Sequence, residues 1–324
     1  MLSLNFKNVY INDYKSIVGR NEYLGNLHNV DEKVDDLYYG EKSFELAQMM
    51  MERNVIKKII DDNNLIDQDI DLIIGGDLSN QITASTYGAS KFNISFLGIY
   101  SACSTFIEGL ILASSLLSFE NVRKIINVTS SHNLSQEKQF RYPIEYGVLR
   151  NNNTTFTATG SVCCLLSKSK GIIKIKSATI GSIFDYEIND ANMIGAIMAP
   201  SAAETLVEHL NYAKHQINYY DLIITGDLGT VGFNIFNDYL DEEFNIKANN
   251  IIDAGSKLYK NINEVNDGAS GPSCLPLYFF NNILSKKKYK KILLVGTGSL
   301  HSSTTTNLKQ NIPSISHVIE IEVM

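Results

Sequence analysis

The stretch Ser101-Ala102-Cys103-Ser104-Thr105-Phe106-Ile107-Glu108-Gly109 places a thiol among small residues where an apolar helix begins. The helix continues through Leu110, Ile111, Leu112, Leu116 and Leu117, apolar nearly all round, as a central helix would be. A helix N-terminus presents unpaired N–H groups and a partial positive charge. Both lower a thiol's pKa and attract anions. Cys103, Ser104 and Thr105 are therefore candidates for nucleophilic chemistry or for an anion cradle. A packed structural cysteine is the competing reading, because free cysteines are often buried.

Thr129-Ser130-Ser131-His132-Asn133 directly follows an apolar strand. Polar residues at a strand's C-terminal end face the ligand crevice of many α/β sheets. His132 there is a candidate base or anion donor, or else a loop histidine. Gln139-Phe140-Arg141-Tyr142-Pro143 mixes a guanidinium with aromatics. Arg141 could fork onto a carboxylate or form a surface ion pair. Further on, Asp267-Gly268-Ala269-Ser270-Gly271-Pro272-Ser273-Cys274 opens a second apolar helix, which Pro276 should bend or delay. Gly296-Thr297-Gly298-Ser299-Leu300-His301 closes a later strand, and its glycines allow close backbone approach.

The elements that carry these residues repeat. Asp71-Leu72-Ile73-Ile74-Gly75-Gly76-Asp77-Leu78 returns as Asp221-Leu222-Ile223-Ile224-Thr225-Gly226-Asp227-Leu228. Asp77 and Asp227 sit at equivalent turns, as ligand groups or as turn chemistry. Each copy follows an amphipathic helix, one with Phe44, Ala47, Met51, Val55 and Ile59 on a stripe, the other with Ala202, Leu206, Leu210, Ala213 and Ile217. Lys124–Val128 pairs with Lys291–Val295, and the turn-plus-helix before each also recurs. Repetition in register points to a duplicated α/β unit. On this spacing Cys103 falls opposite Ser270. The halves are expected over 1–185 and 186–324, with the boundary near Ile183–Ile188. Thr154–Ser167 and Gly171–Ser182 read as two strands joined in a hairpin by Lys168-Ser169-Lys170-Gly171.

Composition bounds the rest. A chain of 324 residues, 44% hydrophobic and 19% charged, can build a sizeable core. A net charge of −7 argues against a nucleic-acid partner, although a local basic patch is compatible with it. The four cysteines lack CxxC spacing, so neither a zinc site nor a disulfide framework is expected, and a reducing compartment is. No signal peptide and no run of about 20 apolar residues is present, so action at a membrane would be peripheral.

The cysteine turn, the duplicated halves and the Gly-rich closing loop resemble the thiolase and ketoacyl-synthase superfamily. Within it, the chain is similar to the stage V sporulation protein AD family. Tyr220–Leu228, Ala102–Thr105, Thr129–Asn133, Arg141–Pro143 with Glu145–Gly147, and Met198–Pro200 carry that likeness. The resemblance implies a thiolase-like fold of layered α-β-α-β-α architecture and a homodimer. It implies binding of dipicolinic acid (pyridine-2,6-dicarboxylate) for its uptake into the developing spore, and a role in its release at germination. Implied partners are the other, membrane-embedded SpoVA proteins, with the chain on the mother-cell side, peripheral to a forespore or spore membrane.

Condensing enzymes of the superfamily also need two second-half groups, His/His or His/Asn. Gly226-Asp227 and Val265 stand where those belong, so a non-catalytic chain is expected. An acyltransferase or ketoacyl synthase acting through Cys103 is the alternative. Asp77, Cys103, Ser104, Thr105, His132, Arg141, Asp227 and Ser270 are the expected ligand contacts. No resident metal is expected, although calcium could accompany the dicarboxylate.

Overall fold

A computed structural model of the chain describes residues 1–27, 29–140, 152–260 and 265–324, with the side chain of Phe140 outside that description. The strands are β1 (Leu2–Gly19), β2 (Glu32–Val34), β3 (Leu72–Asp77), β4 (Phe96–Gly98), β5 (Lys124–Ser131), β6 (Phe156–Thr157), β7 (Gly160–Ser167), β8 (Ile173–Ile180), β9 (Leu222–Thr225), β10 (Ile251–Asp253), β11 (Ala269–Ser270), β12 (Lys291–Ser299) and β13 (Ser314–Val323). Among the described residues they form one large sheet, ordered β10-β9-β12-β13-β8-β1-β7-β5-β3-β4, with β2 beside β1. A small parallel pair, β6 and β11, stands apart.

The order reads the same outward from the β1–β8 seam. On one side lie β7, β5, β3 and β4; on the other lie β13, β12, β9 and β10. The two copies of the Asp-Leu-Ile-Ile motif are β3 and β9, and the second matched pair is β5 and β12. β3 and β9 run parallel to both neighbours, whereas β5 and β12 run parallel to β3 and β9 and antiparallel to β7 and β13. The boundary expected near Ile183–Ile188 falls between β8 and the helix Ile194–Ala213.

The expected hairpin does not form. β7 and β8 lie on opposite sides of β1, each antiparallel to it. β1 itself escapes a periodic reading because its register slips between Asn5 and Val9 and again between Ile11 and Asp13. Each slip turns the following side chains to the other face, which destroys a simple alternation.

Successive strand residues feed three cores. Ile73, Ile126 and Val128 pack under Met51, Val55 and Ile59 of the helix Phe44–Asp62. Ile223, Leu293 and Val295 pack under Leu206 and Phe236, from the helices Ile194–Ala213 and Gly229–Phe244. Their neighbours Ile74, Ile125, Ile224 and Leu294 face inward, onto Phe106 and Leu110 of the helix Thr105–Leu116 and onto Leu275 and Phe279 of the second-half helix. Two outer helix layers and one inner layer thus enclose the two halves of the sheet. That accounts for strands buried on both faces and hence almost continuously apolar.

The inner helices differ. Thr105–Leu116 is regular. Its mate is α-helical only over Cys274–Tyr278, with Pro276 inside, and continues as a π-turn over Phe279–Ile283. The missing N–H of Pro276 explains the irregular opening. No helix among the described residues is long and apolar enough to cross a membrane.

Candidate functional site

Cys103 stands on a sharp turn between β4 and the inner helix. Ala102, just before it, has φ +48°, a strained left-handed conformation for a residue with a Cβ. The turn is locked from within. Ser104 N–H donates to Ser101 O (2.9 Å), and Thr105 N–H donates to Ala102 O. Thr105 Oγ1 donates to Ala102 O (2.6 Å) and accepts from Ser101 N–H (3.0 Å). Ser101 Oγ meets His317 Nε2 at 3.2 Å, and Gly181 N–H donates to His317 Nδ1 at 3.2 Å. His317 is therefore a neutral tautomer with its proton on Nε2, its pKa pushed down to about 4 by burial. The turn can lie this close only because its neighbours lack side chains. A Cβ on Gly76 would stand 2.2 Å from Ile99 O, and one on Gly298 would stand 2.5 Å from Ser101 O.

Cys103 is half-buried, while Cys163, Cys164 and Cys274 are fully buried. It opens onto a cavity of about 180 Å³ lined by Tyr100, Ala102, Gln136, Thr157, Ser270 and His301, among others. Ser270 and Thr157 are opposite partners in the β11–β6 pair, so the second-half turn forms one wall. The repeat spacing that set Cys103 against Ser270 thus corresponds to a shared cavity.

The acidic group beside the thiol is the Asp227 carboxyl. Burial pushes the Cys103 thiol well up, and the adjacent Asp227 raises it further. Asp227 is itself buried and pushed well up, first by burial, with Asp253 adding to the rise. Its Oδ2 accepts from Gly271 N–H at 2.7 Å, and Gly271 adopts φ +109°, open to glycine alone. Asp253 fixes the Asp227 turn by accepting from Thr225 Oγ1 (2.8 Å), Leu228 N–H (3.1 Å), Gly229 N–H (3.1 Å) and Ser256 N–H (2.7 Å).

Donors nevertheless face the cavity. Gln136 is buried, its Oε1 accepts from His132 N–H (2.9 Å), and its Nε2 has no partner among the described residues. The peptide N–H groups of Ala102 and Cys103 are not consumed by the bonds that lock the turn, although that of Cys103 already bears on its own thiol. Ser299 and His301, 3.3 Å apart through Oγ and Nδ1, close the far side.

A sequence profile described as Stage V sporulation protein AD matches residues 2–322. The chain is 35% identical over 318 residues to the Stage V sporulation protein AD of Bacillus subtilis (strain 168), covering 97% of this chain and 94% of that protein. The chain belongs to the Stage V sporulation protein AD family. Among solved structures, cerulenin-bound OleA of Xanthomonas campestris matches with TM-score 0.60 and 14% identity, covering 97% of this chain and 100% of that one. OleA with bound lauric acid and lauroyl-CoA matches with TM-score 0.61 and 14% identity, covering 97% and 99%. At that identity the likeness concerns the fold, which is thiolase-like.

In this chain, several residues singled out from sequence lie away from the cavity. His132 is buried beside Phe44, their rings 5.3 Å apart, with Nε2–H donating to Leu37 O at 2.8 Å. Burial lowers its pKa, so it stays neutral and acts on the cavity only by holding Gln136. Asp77 accepts from Ser79 N–H (2.6 Å) and Ser85 N–H (2.8 Å), which is strand-end turn chemistry, and it lies near Glu52. Ser104 Oγ is buried against Gly296, and the Thr105 hydroxyl is spent on the turn. The N–H groups of Ser104 and Thr105 are likewise spent, so the anion cradle expected of the helix N-terminus narrows to Ala102 and Cys103. Thr129 and Ser131 dock the second-half turn, through Pro272 O (3.1 Å) and the Ser273 hydroxyl. Arg141 lies outside the described residues. Among the described residues no cluster of three or more potential metal ligands assembles.

Gln136, Thr157, Tyr100 and Asp253 were not singled out from sequence. Gln136 and Thr157 are ordinary polar residues in sequence, and only the fold brings them to the thiol. Asp253 had a weak signal, as an acid at the end of a short apolar strand before Ala254-Gly255.

Proposed function

We propose that this member of the sporulation family binds dipicolinic acid non-covalently in the Cys103 cavity, for its uptake into the developing spore and its release at germination. One observation carries the reading: the thiol faces a buried carboxyl that raises its pKa, where a nucleophile would need a partner that lowers it. Loss of a proton from both Cys103 and Asp227 would place two negative charges in a dry site, which opposes a stable thiolate there. The cavity keeps what an anion needs. The Gln136 amide, the Ala102 and Cys103 N–H groups and the Ser270 hydroxyl are donors for carboxylate oxygens. Tyr100 supplies an aromatic wall for a flat ring. Family membership supports a place in sporulation. Within the same reading the chain is a homodimer that works beside the membrane-embedded SpoVA proteins, peripheral to a spore membrane on the mother-cell side.

Titration calorimetry with dipicolinate tests this. Binding is expected, weakened roughly 10-fold by Gln136→Ala through loss of one hydrogen bond to a charged group. Incubation with an acyl-CoA should leave the Cys103 peptide at its unmodified mass. A covalent acyl-enzyme, or no binding heat at ligand concentrations on the order of millimolar, refutes the reading.

A further inference from the structure

The sequence Lys286-Lys287-Lys288-Tyr289-Lys290-Lys291 places five lysines within six residues of a chain whose net charge is −7. The run forms the turn that leads into β12. Some exposed lysines elsewhere are paired, Lys57 with Asp61, Lys58 with Asp62, Lys138 with Glu45 and Lys247 with Asp241, and within the run Lys290 lies 3.9 Å from Glu322. Lys287 and Lys288 make no ion pair among the described residues, although carboxylates outnumber cations in the chain. Lys288 Nζ lies 4.9 Å from the centre of the Tyr289 ring. Lys286 Nζ donates to the Asn282 side-chain oxygen (2.6 Å), a neutral partner.

The turn is part of a wider surface. Val323 N–H donates to Lys290 O (2.8 Å) and Met324 N–H to Ile172 O (3.0 Å), joining the run to the Lys168–Ile172 connection and the last residue. Lys168 Nζ in turn reaches Phe119 O at 2.6 Å. Three large apolar side chains on this stitched surface are open to solvent: Phe119 at 58%, Ile172 at 38% and Met324 at 53%. Scattered exposed hydrophobics need no explanation, but here they adjoin a dense lysine run in which Lys287 and Lys288 make no ion pair among the described residues. The surface also has a definite place in the fold. β12 begins here at Lys291 and ends at Ser299 on the Cys103 cavity, roughly 25 Å away at the usual rise per residue.

We infer that this face docks on an anionic lipid bilayer, with the lysines at the headgroups and Phe119, Ile172 and Met324 entering the interface. Lysine is a compact, hydrated point charge, suited to a diffuse field of headgroups, whereas binding one ordered acidic segment favours the planar fork of arginine, which the run lacks. Apolar contact and electrostatic attraction together give the two signals that stable peripheral binding needs. The geometry leaves the Cys103 cavity facing away from the bilayer. The inference extends the peripheral placement proposed above and names the face that meets the membrane.

Flotation with vesicles of equimolar phosphatidylglycerol and phosphatidylcholine tests it, against phosphatidylcholine alone. The wild-type chain should float only with the anionic vesicles and dissociate as salt rises. The triple variant Lys286→Gln/Lys287→Gln/Lys288→Gln should bind roughly 100-fold more weakly, at roughly 5-fold per lysine. These side chains are exposed, so circular dichroism should report an unchanged fold. Equal binding of variant and wild type overturns the inference, as does failure of the wild type to bind anionic vesicles. Capture by immobilised polyglutamate without vesicle binding also overturns it, in favour of an acidic protein partner. Dipicolinate calorimetry on the triple variant should match wild type, so a failure of this inference is distinct from a failure of the cavity reading.

Discussion

Replacing Asp227 by Asn should make Cys103 more reactive. The Cys103 thiol and the Asp227 carboxyl form a buried pair of acids, each raised well above its ordinary range. The pair loses its first proton to leave one negative charge, and the thiolate appears only as a second charge beside it. A neighbouring charge at such range is worth about 1–3 pK units. Asp227→Asn removes that charge and keeps an oxygen to accept the Gly271 N–H. Burial still holds the thiol up, but at a given pH below its new pKa the thiolate fraction rises about 10-fold to about 1000-fold. The assay is iodoacetamide alkylation across a pH series, read by peptide mass spectrometry. Cys163, Cys164 and Cys274 are buried and serve as internal controls. Superimposable pH–rate profiles for variant and wild type would refute the argument.

Two further outcomes follow from the packing. Burial, with Asp77 adding to it, raises Glu52 to about 8 from 4.5, while Ser85 and Ser130 donate to it at 3.1 and 2.5 Å. The folded state keeps a proton that the unfolded chain releases. The stability it contributes is full below pH 4.5 and is lost as the pH climbs to about 8, a loss on the order of 4 kcal/mol. Thermal unfolding should therefore show Glu52→Gln losing less stability than wild type across that window, and parallel curves would contradict this. Gly76→Ala would set a Cβ 2.2 Å from Ile99 O and 2.6 Å from Thr105 Cγ2, costing about 2–4 kcal/mol. Urea unfolding with an unchanged midpoint would contradict that expectation.

The duplication was legible because β3, β5, β9 and β12 are buried on both faces, so each copy keeps a continuous apolar run ending in a polar turn. The hairpin was misread because β1 pairs between β7 and β8, and two register slips hide its alternation. At the site, Cys103, Asp227 and Ser270 were legible from the repeat, since equivalent strand ends converge on one crevice. His132 was not, because one position beyond the end of β5 sufficed to turn its ring toward Phe44 and Leu37. Ser104 and Thr105 illustrate a general limit: short polar side chains at a helix start satisfy the local backbone first. Gln136 carried no signal at all, since its role depends on His132 N–H fixing which end of the amide meets the cavity.

The most direct test of the account is a crystal structure of the chain soaked with dipicolinate. The account predicts the pyridine ring beside Tyr100, a carboxylate within hydrogen-bond distance of Gln136 Nε2 and of the Ala102 or Cys103 N–H, and a free Cys103 thiol against Asp227. Ligand bound elsewhere with the cavity empty, or density continuous with Cys103 Sγ, would contradict it.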